Sequence, residues 1–191
     1  MIELNPRNEL EPKVGRLLLA EPFLSEPHFK RSVIFLCEHS EEGSLGFVLN
    51  KFSDIKLSDI IDMPEAEAFD IAIGGPVEPE SLYFLHTLGK EIKDSIEIVD
   101  GVYMGGDFDQ VKFLIKEKLI TPEQIRFFIG YSGWSKDQLS DEMKEDAWYV
   151  SESKKDFIMN VSSESLWNEV LENMGTEFKI ISNFPESPAL N

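Results

Sequence analysis

Short apolar runs alternate with polar segments that contain glycine or proline along most of the chain. The runs are rich in Val, Ile, Leu and Phe, which is typical of β-strands. They predict strands within residues 14–24, 32–40, 44–51, 69–77, 81–89, 96–106, 125–131 and 146–152, and one short strand in the tail 178–191. The second and third runs are separated by Ser40–Ser44, so they predict a hairpin with Gly43 in its turn.

Other segments carry apolar residues at helical spacing or begin with capping signals. They predict helices within residues 58–63, 109–119, 135–145 and 162–174. Ser58, Asp107 and Ser135 are the predicted N-caps, and for Asp107 and Ser135 a glutamine three residues later completes a capping box. Because several strands follow one another without a helix between them, the order of elements predicts an α/β fold of the α+β type with a mixed sheet.

The length of 191 residues favours one domain with a sizeable core. The first residues are polar and contain proline, so we expect an N-terminal arm over 1–13 and a single globular domain over 14–191. This start does not resemble a secretory signal, and no apolar run approaches the length of a membrane helix. These features predict a cytoplasmic protein without a membrane partner.

The composition is strongly acidic, with 36 acidic against 18 basic residues and a net charge of −18. Affinity for nucleic acid depends on Lys and Arg displacing counterions, so a nucleic-acid partner is disfavoured. The single cysteine, Cys37, excludes an internal disulfide, and its apolar surroundings predict a buried, inert thiol. The acids Asp141, Glu142, Glu145 and Asp146 predict a solvated helix end.

Three strand-like runs end in glycine: IAIGGP, VYMGGD and FIGYSGW. Glycine lets a ligand approach the backbone, and a helix that follows offers free N–H groups. The alternative is structural, with glycine supplying a positive φ or close packing and capping side chains occupying the donors. No P-loop or dinucleotide fingerprint is present, so no cofactor is predicted. The candidate ligand- or partner-binding residues are Gly74, Gly75, Gly105, Gly106, Asp107, Gly130, Tyr131, Ser132, Gly133 and Trp134.

The stretch IGYSGW invites comparison with the G-x-S-x-G elbow of hydrolases, but the spacing is wrong. Gly133 is adjacent to Ser132, and the bulky Trp134 holds the place of the second glycine. All three histidines precede Ser132 as well, so we predict a strand-to-helix corner with a buried Trp134 and a structural cap at Ser135.

The assembled motifs resemble those of the YqgE/AlgH family of bacterial proteins. The matching stretches are GRLLLAEP, FKRSVIFLCEHSEEGSLGFVLNK, IAIGGPV, YMGGD, IRFFIGYSGWSKDQL, Trp148 and PESPALN. The chain departs from the family pattern at Phe52, Ser132, Lys136 and Asp137. The resemblance implies one compact domain whose bent mixed sheet is partly closed like a small barrel and flanked by helices. It supplies no catalytic residue, and the AlgH name carries a link to transcriptional regulation.

The sequence therefore predicts a non-catalytic regulatory or interaction protein that binds an unidentified protein partner or small molecule near the glycine segments. One alternative is a hydrolase or metal-assisted enzyme that uses Asp107, Asp109 and His39. Another is a transcriptional regulator that acts directly on DNA, which the charge and the lack of a helix-turn-helix disfavour.

Overall fold

The computed structural model describes Pro6, residues 10–161, Ser163 and residues 165–185. Most of the predicted arm 1–13 and the end of the PESPALN motif lie outside the described residues. The strands of the described chain are β1 (Leu17–Ala20), β2 (Val33–Ser40), β3 (Gly43–Val48), β4 (Phe52–Lys56), β5 (Asp70–Ile73), β6 (Val77–His86), β7 (Ile96–Val99), β8 (Val102–Met104), β9 (Ile125–Ser135) and β10 (Trp148–Ser151). The helices are α1 (Phe108–Lys116), α2 (Gln138–Lys144), α3 (Lys155–Met159), α4 (Leu166–Met174) and α5 (Thr176–Ser182).

All ten described strands belong to one sheet. Its main path runs β10-β1-β2-β3-β9-β6-β8-β7, while β5 pairs with both β4 and β9. Every pair of described strands is antiparallel except β5 with β9, which is parallel. The prediction of an α/β fold with a mixed sheet is therefore confirmed.

The sheet is strongly bent, because strands far apart in its order share one core. Leu17 of β1 and Val102 of β8 belong to the same buried cluster. Gly15, just before β1, lies so close to β7 that an added Cβ would stand 2.3 Å from Val99 Cγ1. Nevertheless, no strand pairing among the described residues joins β10 to β7, so the predicted partial closure does not become a barrel.

The strand β9 pairs with three other strands, which contact it at different positions along its length. One edge pairs with β6 from Ile125 to Tyr131. The other edge pairs with β5 over 127–129 and then with β3 over 132–135. The sequence predicted a strand ending at Tyr131, followed by a corner. Instead, the strand continues through Gly133 and Trp134, because β3 provides hydrogen-bonding partners there.

The helices cover three apolar clusters. Helices α4 and α5 pack against β1, β2 and β3, α1 packs against β6 and the start of β9, and α2 packs against the opposite face of β1 and β2. Trp167 of α4 is fully buried, and its Nε1 donates to the carbonyl oxygen of Ala20 at 2.9 Å.

Several local predictions need correction. The residues 58–63 do not form the predicted helix. A short 3₁₀ turn covers Leu57–Asp59, so the predicted cap Ser58 lies inside it, and the carboxylate of Asp59 accepts from Lys56 N. A second 3₁₀ turn begins at Pro64. The run 96–106 is a hairpin, since Asp100 and Gly101 turn β7 into β8. The short strand predicted in the tail is the helix α5, whose Ile181 is buried in the core.

Candidate functional site

The first and third glycine segments meet at one point of the sheet. An added Cβ on Gly74 would lie 2.3 Å from the carbonyl oxygen of Gly130. A Cβ on Gly75 would lie 2.3 Å from the backbone of Tyr131, and one on Gly130 would lie 2.4 Å from the oxygen of Gly75. The lack of side chains at these positions therefore lets two backbone segments touch each other.

The second glycine segment lies elsewhere, beyond β6 and β8. Gly106 packs on Ile92 and Lys93, and the carboxylate of Asp107 accepts from the N–H groups of Asp109 (2.9 Å) and Gln110 (3.3 Å). The predicted cap of α1 by Asp107 is confirmed. The second bond of the capping box, from Asp107 N to the Gln110 side chain, is absent, because that side chain accepts from Lys93 N instead. The free donors at the start of α1 are thus already occupied.

Ser132 is a buried structural serine. It is fully buried, and its Oγ donates to the carbonyl oxygen of Gly74 at 3.1 Å. This bond ties β9 to the loop after β5. A hydroxyl that is inaccessible and bound to a carbonyl is not placed for nucleophilic attack.

The predicted role of Ser135 as an N-cap is wrong. Asp137 occupies the cap position of α2 in a left-handed conformation, with φ of 63° and no side-chain cap. Both the N–H and the hydroxyl of Ser135 donate to Gln138 Oε1, at 3.0 and 3.2 Å. The glutamine side chain thus reaches back as predicted, but Ser135 accepts no backbone N–H from the helix.

These contacts predict that Ser132→Ala destabilises the protein more than Ser135→Ala. The first change removes a buried hydrogen bond to the Gly74 carbonyl, which still accepts from Val48 N, so the cost is about 0.5–1.5 kcal/mol. The second removes an exposed contact and should change the free energy of unfolding by less than about 0.5 kcal/mol. Urea denaturation of both variants measures the difference, and an equal loss in the two would contradict the assignment.

Trp134 and Trp148 share one carboxylate. Trp134 is 5% exposed, as predicted, and its Nε1 donates to Glu142 Oε2 at 2.8 Å. Trp148 Nε1 donates to the same oxygen at 2.7 Å, and Gln138 Nε2 donates to Glu142 Oε1 at 2.9 Å. Glu142 is therefore a structural acceptor for both indoles, rather than part of a solvated helix end. One local signal points to this role: Glu142 lies four residues after Gln138, on the same side of α2.

The residues of the enzyme alternative do not come together. His39 lies in the hairpin of β2 and β3, which pairs with β9 at Trp134. Asp107 follows β8, whose neighbour β6 pairs with the other end of β9 near Arg126. Eight residues of strand separate these ends, roughly 25 Å at about 3.3 Å per residue. Asp109 forms an ion pair with Lys112, and within the described residues no three His, Cys, Asp or Glu side chains could hold one metal ion.

His86 is a buried histidine of the core. It stacks on Tyr103, its Nε2 lies 3.1 Å from the carbonyl oxygen of Gly105, and its Nδ1 accepts from Leu88 N at 3.2 Å. Burial lowers its pKa, so the neutral form with a proton on Nε2 fits these partners. Cys37 is also buried, as predicted, and burial raises the pKa of its thiol well above the ordinary value.

A shallow groove of about 720 Å³ lies at one open end of the bent sheet. We call it the β9 groove, and its lining includes His39, Ser44, Leu45, Tyr131, Gly133 and Trp134. The ring of Tyr131 packs edge-on against Tyr83, whose hydroxyl donates to the Glu78 carboxylate at 2.6 Å. Burial, with this hydrogen bond, raises the pKa of Tyr83 to about 12, so the phenol remains a donor. The groove contains three of the ten predicted site residues.

The fold and the residues that build it define an AlgH-like protein. The AlgH-like family, DUF179, matches residues 17–179, and the chain belongs to this family. A UPF0301 protein of Chlorobium limicola is 41% identical over 188 residues, covering 98% of this chain and 100% of the relative. A UPF0301 protein of Bacteroides thetaiotaomicron is 40% identical, with 96% and 94% covered.

Two solved structures have the same fold. A crystal structure of a Corynebacterium diphtheriae protein has a TM-score of 0.79 at 21% identity and covers 96% of this chain and 98% of its own. The solution structure of AlgH from Pseudomonas aeruginosa has a TM-score of 0.74 at 24% identity, with 94% and 98% covered. The family assignment predicted from the motifs is confirmed. Among the described residues, no helix is long and apolar enough to cross a membrane.

Proposed function

We propose that the protein is a non-catalytic regulatory protein that binds an extended, basic segment of a protein partner in the β9 groove. The observation that carries this proposal is the groove itself, which lies where Tyr131, Gly133 and Trp134 meet the hairpin of β2 and β3. Its open, shallow form suits an extended polypeptide better than a small molecule, which is usually enclosed on most sides.

The strands around the groove extend beyond their neighbours. β1 pairs with β2 only as far as Phe35, and β6 pairs with β9 only as far as Tyr131. Among the described strands, Glu38–Ser40 and Gly133–Ser135 therefore have only β3 as a neighbour. Strand edges of this kind can pair with an added extended segment through main-chain hydrogen bonds.

The charge of the groove favours a basic partner. Glu38 and Glu42 line it, and its described lining contains no Lys or Arg. The net charge of −18 adds a long-range negative potential to that of the two glutamates. Complementary charge raises the rate of association and excludes acidic competitors, so lysine or arginine residues are expected in the bound segment.

Site-specific photo-crosslinking in the native host tests this proposal. A photoreactive amino acid replaces the exposed Ser40 in the groove, and a control replaces the half-exposed Lys112 on α1. We expect one protein adduct from position 40, none of the same mass from position 112, and loss of the adduct when Glu38→Lys and Glu42→Lys are added. Both glutamates are exposed, so these changes should alter stability by less than about 0.5 kcal/mol each.

Three outcomes would contradict the proposal. They are the same adduct from both positions, an adduct that survives the charge reversal, and a nucleic-acid adduct from position 40. The last would favour the alternative of direct action on DNA.

A further inference from the structure

Arg126 of β9 is a buried cation that has no carboxylate partner among the described residues. It is 3% exposed, and its side chain bridges two parts of the chain. Nη1 donates to the carbonyl oxygen of Ile158 at 2.6 Å, and Nη2 donates to that of Leu49 at 2.7 Å. The guanidinium also lies over the ring of Phe128, 5.2 Å from its centroid. Within the described part of the chain, carbonyl dipoles and an aromatic face are therefore the only groups placed to compensate the charge.

The charge persists at neutral pH even though it is buried. Burial lowers the pKa of Arg126 to about 9, which still leaves the guanidinium protonated at pH 7. A guanidinium has five N–H donors, and protein carbonyls engage two of them here. Burial of an uncompensated charge is costly, so the site as described favours an added anion.

A cavity of about 240 Å³ adjoins Arg126. It exists because β5 begins to pair with β9 only at Phe127, opposite Ile71, which leaves Ile125 and Arg126 without a described strand on that side. The aromatic and aliphatic walls come from Phe52, Phe69, Ile71, Phe127 and Val161. The cavity thus places one buried cation beside a group of aromatic and aliphatic side chains, with Ser53 and Asp70 also in the lining.

We propose that this cavity binds a small amphipathic carboxylic acid, with its carboxylate on Arg126 and its apolar part against the phenylalanine rings. A guanidinium can hold a carboxylate through two parallel N–H···O bonds, and such charge-assisted pairs are stronger than neutral hydrogen bonds. The volume limits the ligand to a compact molecule, smaller than most drug-sized ligands.

The other charged side chain of the cavity lining is Asp70. Its Oδ1 pairs with Lys56 Nζ at the half-exposed mouth, so its charge is already matched. Arg126 therefore supplies the one unmatched charge of the described lining. A monoanionic carboxylate balances this charge, whereas a phosphate dianion requires a second cation that the lining does not contain.

An NMR titration with 3-phenylpropionate tests the site. We expect saturable shifts of the amide signals of Ile71 and Phe127, and an affinity at least tenfold weaker for 3-phenyl-1-propanol, which has the same ring without the charge. Arg126→Gln should weaken binding of the acid at least tenfold and leave that of the alcohol unchanged. Arg16→Gln is the matched control, since it removes the same charge from the exposed pair with Glu152.

The comparison of acid with alcohol is made on the unaltered protein, so it decides the proposal even if Arg126→Gln does not fold. Equal affinity for the two probes, or shifts confined to residues outside the cavity, would overturn it. So would unchanged binding of the acid to a folded Arg126→Gln protein. The site is separate from the β9 groove, and a negative result here leaves the proposed partner binding unaffected.

Discussion

Trp134→Ala is expected to lower the free energy of unfolding by about 3–5 kcal/mol, the range for removing a large buried aromatic side chain. The ring is buried against Trp148 and Phe29, with centroids 5.8 and 6.4 Å away. Its loss leaves a cavity between β9 and α2, and it removes one of the two indole donors to Glu142. Urea denaturation at neutral pH measures the effect.

Trp134→Phe separates packing from hydrogen bonding. Phenylalanine fills much of the same volume but cannot donate to Glu142, so a loss of about 1–3 kcal/mol is expected, smaller than that of the alanine variant. A loss below about 1 kcal/mol for Trp134→Ala would show that the ring is not part of the core. The ring would then be free to contact a segment bound in the β9 groove.

Gly130→Ala should destabilise the protein by about 1–3 kcal/mol more than Gly105→Ala. The two glycines have nearly the same φ, 66° and 65°. A left-handed conformation costs an alanine about 1–2 kcal/mol at either position. At Gly130 the new Cβ would also stand 2.4 Å from the carbonyl oxygen of Gly75, whereas at Gly105 nothing lies within 4 Å.

The difference between these two variants isolates the contact between the two backbone segments. Neither segment can rotate away as a flexible side chain would, so the sheet must shift, and overpacking of this kind costs about 1–3 kcal/mol or more. Thermal and urea denaturation of both proteins provide the comparison. Equal stability of the two would mean that the loop after β5 does not press on β9.

The sequence predicted the fold class and most of the elements correctly, because strand alternation and helix caps are local signals. The cap at Asp107 and the hairpin of β2 and β3 depend on residues that are close in the chain, and both are present. The predicted corner after Tyr131 failed for a non-local reason. The partner that extends β9 to Ser135 is β3, which lies some ninety residues earlier in the chain. The residues around Tyr131 therefore contain no local signal of this pairing.

The two candidate binding features differ in how visible they are in the sequence. The neighbouring glycines mark Tyr131, Gly133 and Trp134 as candidates in the sequence. In the structure these residues lie in a continuous strand and line the β9 groove, rather than forming a corner. In the sequence, Arg126 is one residue of an apolar strand. A single charged residue inside the run IRFFIG must either reach solvent or be compensated within the core, which indicates an unusual environment for Arg126. Whether it is buried depends on Leu49 and Ile158, which only the folded chain brings near.

The pairing of β1 with β10 has a consequence for the protein while it is being made. Leu17 pairs with Ser151, so one edge of β1 has no partner until the ribosome has added about 130 more residues. At about 5–20 residues per second, this interval is on the order of ten seconds. The apolar strand LLLA is exposed to pairing with other nascent chains during that time. We therefore expect the yield of folded protein to depend on chaperone protection of β1, or on β1 staying collapsed against β2 until β10 emerges.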